Sequence, residues 1–498
     1  MKSLKCASLD GIDAISIDVE STFTQGLPNF SIVGMANTAI QESKERIKSA
    51  LLTNNFKFPP KRITINLSPS DIAKKGSHFD LSIALLIALQ DTQVDMSGFY
   101  VFGELGLDGA LKDTKAIFVL ILSLAREKKI KNVLIPKESV SKIALIPDIN
   151  IYAVETLQDA IKFFQIDNKI SYKIKNQEYN YQFLNINGTK YFYIQEYILD
   201  FIDVKGQELA KQAALISAAG NHNILFEGSP GCGKSMIAKR LQYIMPPMSL
   251  DEILDIAKIE SLQSKQPTFK PQRSFLSPHH SSTKASIVGG TQIGQIALSN
   301  HGILFFDELP HYQKSVLEAL REPLEDYEIS ISRVNTKIKY PTKFLFCAAQ
   351  NPCPCGNLLS KSKECRCSEV EIARYKNKLS DPFLDRIDLY VVMNEVTKDD
   401  KATIDSKTLH QQVLEAFKIQ KLRGQKNLNG KLNDQEIKQY CILEDDAKDI
   451  LDLSIERFSL SFRAINKVLK VARTIADLNN SVKIQKEHII QSLSYRKR

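Results

Sequence analysis

The chain has 498 residues, 43% hydrophobic and 25% charged, with a net charge of +9. That length exceeds what one hydrophobic core holds and predicts about three domains of ordinary globular composition, neither disordered nor fibrous. No apolar run approaches the roughly 20 residues a spanning helix needs, so a membrane protein of that type is excluded.

Residues 1–165 read as a separate domain. Alternation over 14–20 predicts a strand, 30–33 a second, 38–52 an amphipathic helix and 62–67 a further strand. Residues 81–89 and 116–122 are mostly apolar and predict core helices. Asp10, Asp13 and Asp18 stand early, with no signal-peptide apolar region, so a cytoplasmic protein is expected. Residues 168–193 are rich in Asn, Lys, Tyr and Gln without a period, which predicts a surface linker placed at 166–199.

Residues 228–235, GSPGCGKS, complete the phosphate-loop pattern G-x-x-x-x-G-K-[ST]. An apolar run (224–226) precedes it and a helical pattern (236–243) follows, the strand–loop–helix context the motif needs. Gly228, Pro230, Gly231 and Gly233 let backbone N–H groups turn towards phosphates, and the helix N-terminus adds partial positive charge. Lys234 would reach the β/γ-phosphates, and the Ser235 hydroxyl would hold Mg²⁺. The chain is therefore expected to bind a nucleoside triphosphate.

Downstream, 302–306 is apolar to the length of a buried parallel strand and ends in Asp307-Glu308. Carboxylates at the C-terminal end of such a strand face the ligand crevice. Asp307 would complete the Mg²⁺ site, and Glu308 would act as general base on water. A third strand over 343–349 ends at Gln350-Asn351, an amide placed to orient that water.

Two stretches read as insertions. Residues 274–294 contain His279, His280 and Gly289-Gly290; the histidines read as structural or pore residues, because adjacent imidazoles rarely reach one ion. Residues 327–340 alternate as a β-hairpin turning at Asn335, with Arg333, Lys337 and Lys339 placed to follow a phosphate backbone. The alternative is an exposed hairpin with ordinary surface cations. The overall basic excess fits DNA as well as it fits a lysine-rich proteome.

Four of the eight cysteines, Cys353, Cys355, Cys365 and Cys367, fall within fifteen positions. In a reducing compartment they suit tetrahedral Zn²⁺, with free thiols in a mobile loop as the alternative. Arg386 stands before an apolar strand (389–392). From about residue 398 the spacing turns helical, at 409–422, 444–454, 461–476 and 486–493, predicting a helical lid (398–498) that carries Arg463.

These strings resemble the ComM/YifB family of magnesium-chelatase-like AAA+ ATPases. The resemblance rests on Gly206-Gln207-Glu208, Ser277-Pro278-His279-His280, GILFFDELP (302–310), LREPLED (320–326), NPCPCG (351–356), FLDRIDL (383–389) and VARTIADL (471–478). It implies an α/β AAA+ core (200–397) with a helical lid, ATP and Mg²⁺ as cofactors, and a homo-oligomeric ring of six. In that ring Asn351 resembles sensor 1, Arg386 the arginine finger given to a neighbour, and Arg463 sensor 2. It also implies an ATP-driven helicase that migrates branched or single-stranded DNA during transformation.

The strings FGELGLDG (102–109) and VLIPKE (133–138) resemble the α+β, ribosomal-protein-type domain of Lon proteases. His78 and Phe118 then fall where that family's serine and lysine stand, and neither supports dyad chemistry; Ser77 lacks an evident base. An inactive Lon-like scaffold is expected. A chelatase-like or protein-remodelling motor and an ATP-dependent protease are the alternatives.

Overall fold

The computed structural model describes residues 2–263, 266–333 and 336–496; the side chains of Arg333 and Thr336 lie outside the described residues, as does the expected hairpin turn at Asn335. Two compact units emerge, Met1–Asn180 with Ala257–Thr268, and Tyr181–Ile256 with Phe269–Arg498. The helix Leu250–Leu262 begins in the second and ends in the first.

In the first unit, Lys2–Asp10 and Asp13–Thr24 pair as an antiparallel hairpin. Its tight turn places Gly11 at φ 63, a backbone region glycine enters without cost. The hairpin lies inside an eight-stranded mixed sheet, flanked by Arg62–Ser68 and Asn29–Val33 on one side and by Phe99–Val101, Asn132–Pro136, Asn150–Val154 and Lys173–Ile174 on the other. Helix Asp80–Ala88 buries nearly every side chain and Lys115–Arg126 buries Ile117–Leu124, as their mostly apolar sequences require. Thr38–Thr53 buries only the stripe Ile40, Ser43, Ile47, Ala50 and Leu51.

The second unit is built on a five-stranded parallel sheet. Its strands are β1 (Ile224–Gly228), β2 (Phe275–Leu276), β3 (Ile303–Phe306), β4 (Leu345–Gln350) and β5 (Leu389–Met393), in spatial order β2-β3-β4-β1-β5. All neighbours are parallel, and β1, β3 and β4 are buried along their whole length. Parallel strands covered on both faces must be apolar throughout, which is how these runs read in the sequence. Their C-terminal ends carry Gly228, Asp307 and Asn351 to one edge of the sheet.

Helices α1 (Glu208–Gly220), α2 (Lys234–Arg240), α3 (Ser406–Leu422) and α4 (Phe462–Leu478) surround it. Leu409, Val413 and Ala416 of α3, and Val471 and Ile475 of α4, join the hydrophobic cluster that contains Ile224, Phe226, Ile303, Leu345 and Leu389. The C-terminal helices therefore share the core of the sheet. A second cluster, including Leu451, Ala472 and Ile489, holds the last helices to one another. The VARTIADL string serves this packing. Arg473 and Asp477, both without exposed side-chain surface, pair at 2.9 Å, and Arg423 closes on the same carboxylate at 2.8 Å.

The segment expected as a linker at 166–199 is instead partly ordered sheet. Gln182–Ile186 and Thr189–Tyr193 form a hairpin that pairs with Met248–Ser249. Its turn is Asn187-Gly188, with φ 51 and 79, the two-residue turn whose twist matches paired strands. Only alternate residues face inward, so the segment buries Ile186 and Phe192 while its composition stays polar.

Two histidines are fully enclosed, one in each unit: His78, and His222, whose Nε2 lies 2.7 Å from the Thr474 hydroxyl. Burial lowers each to about 4. The unfolded chain takes up these protons near pH 6.5 and the folded chain does not. Their stabilising contribution is thus complete above about pH 6.5 and falls away as pH drops towards 4. At pH 5 the loss is about 2 kcal/mol for each histidine. Urea unfolding at pH 7.5 and 5.0 is expected to show that decrease, with His222→Gln removing its own share of the pH dependence.

Candidate nucleotide and metal sites

The phosphate loop emerges from β1 and enters α2. Gly231 and Gly233 adopt φ 84 and 96. A Cβ on Gly228 would sit 2.7 Å from Cys232 Sγ and 2.9 Å from the Met393 carbonyl, so these turns require glycine. The buried Lys234 ammonium donates to the Gly228 carbonyl at 2.6 Å, the Ser229 carbonyl at 3.1 Å and Asn351 Oδ1 at 3.1 Å. Desolvation lowers its pKa. Three oxygen acceptors already gather around this cation, a position an anionic phosphate oxygen would fill more favourably.

Ser235 Oγ donates to Asp307 Oδ2 at 2.8 Å. A hydroxyl and a carboxylate that close together are the hard oxygen ligands Mg²⁺ selects, so the residues fit that ion. Asp307 Oδ1 accepts from the Glu308 amide at 3.0 Å, and Glu308 holds φ 52, an uncommon backbone for a non-glycine residue. Its carboxylate lies 3.7 Å from His280 Nδ1. The His279 and His280 rings lie 4.2 Å apart. The pair expected to be structural or pore-lining thus places one imidazole beside the candidate base, a contact that sequence spacing did not reveal.

Behind the loop, Gln207 Nε2 donates to the Cys232 carbonyl at 3.0 Å and to the Asn394 carbonyl at 2.5 Å, tying the Gly-Gln-Glu string to the strand ends. Glu227, nearly buried, accepts from Gln350 Nε2 at 2.5 Å and from the Tyr390 hydroxyl. These bonds fix β1, β4 and β5 relative to one another where their loops begin.

Arg386 and Arg463 stand together but apart from this group. Both donate to the Glu325 carboxylate, and Arg386 also donates to the Arg321 carbonyl at 3.2 Å and the Pro382 carbonyl. None of these partners belongs to the phosphate loop. Glu325, in the LREPLED string, therefore gathers both arginines, a meeting that sequence reading passed over; they lie 61 and 138 positions away.

Cys353, Cys355, Cys365 and Cys367 converge, with all four sulfur atoms within 4.8 Å of one another. Sγ separations are 3.4 Å (353–355), 3.7 Å (353–365) and 3.6 Å (355–365). Sulfurs about 2.3 Å from a central zinc in a tetrahedron stand about 3.8 Å apart, so the donor set fits. The Cys355 amide points at Cys367 Sγ at 3.4 Å. The amides of Asn357 and Arg366 point at Cys355 and lower its thiol to about 6.

On the hairpin Glu328–Arg333/Thr336–Pro341, Ile329, Ile331, Ile338 and Tyr340 are buried, while Lys337 and Lys339 face outward. Lys339 pairs with Glu328 at 2.7 Å. Ile331 packs so closely on Gly289 that a Cβ there would lie 2.4 Å from Ile331 Cδ1, so the two insertions touch. In the first unit, His78 is enclosed against Phe79, with ring centroids 4.6 Å apart, and its Nε2 lies 2.8 Å from the Ala7 carbonyl. Phe118 is buried, and Ser77 Oγ donates to Glu104. No helix among the described residues is long and apolar enough to cross a membrane.

Three family models cover most of the chain: magnesium chelatase, subunit ChlI, over residues 200–401; subunit ChlI of Mg-chelatase over 19–139; and the ChlI C-terminal region over 403–496. The competence protein ComM of Haemophilus influenzae is 37% identical across 98% of this chain and 95% of its own length. The YifB protein of Salmonella typhimurium is 35% identical over the same shares. A magnesium-chelatase subunit ChlI homolog of Methanocaldococcus jannaschii is 23% identical over 32% of this chain and 51% of its own. With its phosphate loop, its acidic strand end and full-length similarity of this degree, the chain belongs to the ComM/YifB family of magnesium-chelatase-like AAA+ proteins.

Proposed function

We propose that the protein is an ATP-driven ring translocase on DNA, acting in branch migration of recombination intermediates during natural transformation. The observation that carries the ATPase part is the convergence of Lys234, Ser235, Asp307 and Asn351 within hydrogen-bond distance at one sheet edge. In this reading Lys234 exchanges its carbonyl partners for β/γ-phosphate oxygens, and Ser235 and Asp307 hold Mg²⁺. Bound Mg²⁺ supplies charge neutralisation on the phosphates. Glu308 takes the proton of the attacking water, which Asn351 orients. Arg386 completes a neighbour's site, which requires a closed ring, for which family resemblance suggests six subunits, and Arg463 acts as the nucleotide-sensing arginine of the helical region. The four cysteines hold a structural zinc. Similarity to a protein named for competence supports the assignment to natural transformation.

The DNA part rests on the hairpin, whose outward face offers Lys337, Lys339 and, by sequence, Arg333. Lys337→Glu/Lys339→Glu is expected to leave basal ATP hydrolysis within about twofold, because neither lysine contacts the phosphate loop, while stimulation by branched or single-stranded DNA falls at least about tenfold. Basal hydrolysis that no DNA stimulates in the parent protein would move the weight to a chelatase-like or protein-remodelling motor. The first unit is assigned as a Lon-like scaffold without peptidase activity, a reading that casein degradation by the pure protein would overturn.

A further inference from the structure

The thiolate cluster does not stand alone. It begins two residues beyond Asn351, whose Oδ1 receives the Lys234 ammonium. Gly356, one residue past Cys355, adopts φ 80, and a Cβ there would lie 2.6 Å from Pro230 Cδ in the phosphate loop. The cluster loop and the phosphate loop are therefore in direct van der Waals contact. Beyond Cys367, Ser368 caps the helix Glu369–Lys376 through a capping box. That helix returns the Tyr375 ring to the neighbourhood of the Asn351 backbone amide. Residues 351–375 thus form a loop that returns on itself, drawn together by four sulfur atoms and tied at Ser360–Ser362 to the Glu395 carboxylate. Without a central ion, those sulfurs offer only weak S–H contacts to hold the loop shut.

We propose that Zn²⁺ bound by Cys353, Cys355, Cys365 and Cys367 is a positioning element of the nucleotide site, holding Asn351 on Lys234 and Gly356 on Pro230. Ion binding displaces the thiol protons to solvent and fixes both ends of a segment that otherwise spans an irregular loop. Loss of the ion frees Asn351 and one wall of the phosphate loop together. Turnover thereby depends on an ion that never touches the nucleotide. This inference rests on the ATPase reading only for its kinetic readout.

The experiment uses full-length protein. Metal analysis of the parent is expected to give about one zinc per chain, and Cys365→Ser/Cys367→Ser is expected to lose it. Those two cysteines make no contact with the phosphate loop. The zinc-free variant should lose roughly 10²-fold in kcat, the scale of a displacement of about 1 Å near reacting groups. Gly356→Ala retains all four thiols; it should keep its zinc and still show the kinetic defect. Should the double variant not fold, removal of zinc from the parent with an organomercurial and chelator, then its return, makes the same comparison. Hydrogen exchange at the Asn351 amide, slow with zinc and fast without, reads the coupling even if the protein binds ATP without hydrolysing it, which separates failure here from failure of the ATPase reading. Less than about a tenth of an equivalent in the parent overturns the site. A zinc-free protein with unchanged exchange and unchanged turnover overturns the coupling.

Discussion

Lys234→Ala and Glu308→Gln are each expected to abolish ATP turnover, by routes that a nucleotide-binding assay separates. Lys234 carries a buried cation with three oxygen acceptors, two of them main-chain carbonyls of the phosphate loop. Its removal takes away the charge opposite the β/γ-phosphates and leaves those carbonyls facing the same space. A charged hydrogen bond contributes about 1.5–3 kcal/mol, so affinity for a fluorescent ATP analogue should fall about 10–150-fold, along with kcat. Glu308 is different. It is half exposed, its carboxylate faces His280, and it makes no hydrogen bond to Lys234 or Ser235. Gln keeps its shape and loses the ability to accept a proton. Binding should therefore survive within a few-fold while kcat falls by about 10²–10⁴, the range for a lost general base. If Glu308→Gln hydrolyses ATP at the parent rate, Glu308 is not the base.

The parts of this molecule that read well from sequence are those where a local rule and the tertiary structure agree. The runs 224–226, 302–306 and 344–349 are apolar segments of strand length, which suit a strand buried on both faces. Gly231 and Gly233 of the phosphate loop occupy positive φ, and the cysteines were legible because four soft ligands so close in sequence have few other uses. The hairpin at 182–193 was missed although Asn187-Gly188 announces its turn, because composition over a wide window outweighed a two-residue signal. Glu325 and His280 were not legible in their roles for a different reason. Each acquires its role from a residue far along the chain, Arg386 and Arg463 for one and Glu308 for the other. Spacing rules describe one element at a time and carry no information about such meetings.

The Glu325 arrangement bears on the second large effect. Arg386→Ala is expected to bind ATP normally and to hydrolyse it about 10³–10⁵-fold more slowly, the range for arginine fingers. Within its own chain Arg386 is only 10% exposed and is held by Glu325 and two carbonyls, so it is anchored away from the lysine of its own phosphate loop. If Arg386 serves a phosphate on another subunit, as proposed above, its location becomes a mixing experiment. Lys234→Ala chains keep their arginine and lose their loop; Arg386→Ala chains keep their loop and lose their arginine. Each is inactive by itself. In a random ring made from equal amounts of both, about a quarter of the interfaces pair an intact loop with an intact arginine, so activity should return to at most that fraction of the parent. An arginine acting within its own chain gives no recovery at any ratio. Because Glu325 holds Arg463 on the same carboxylate, Arg463→Ala should complement Lys234→Ala in the same way if the two arginines work as a pair. Recovery with one and not the other would show that the shared carboxylate parks two arginines with separate destinations.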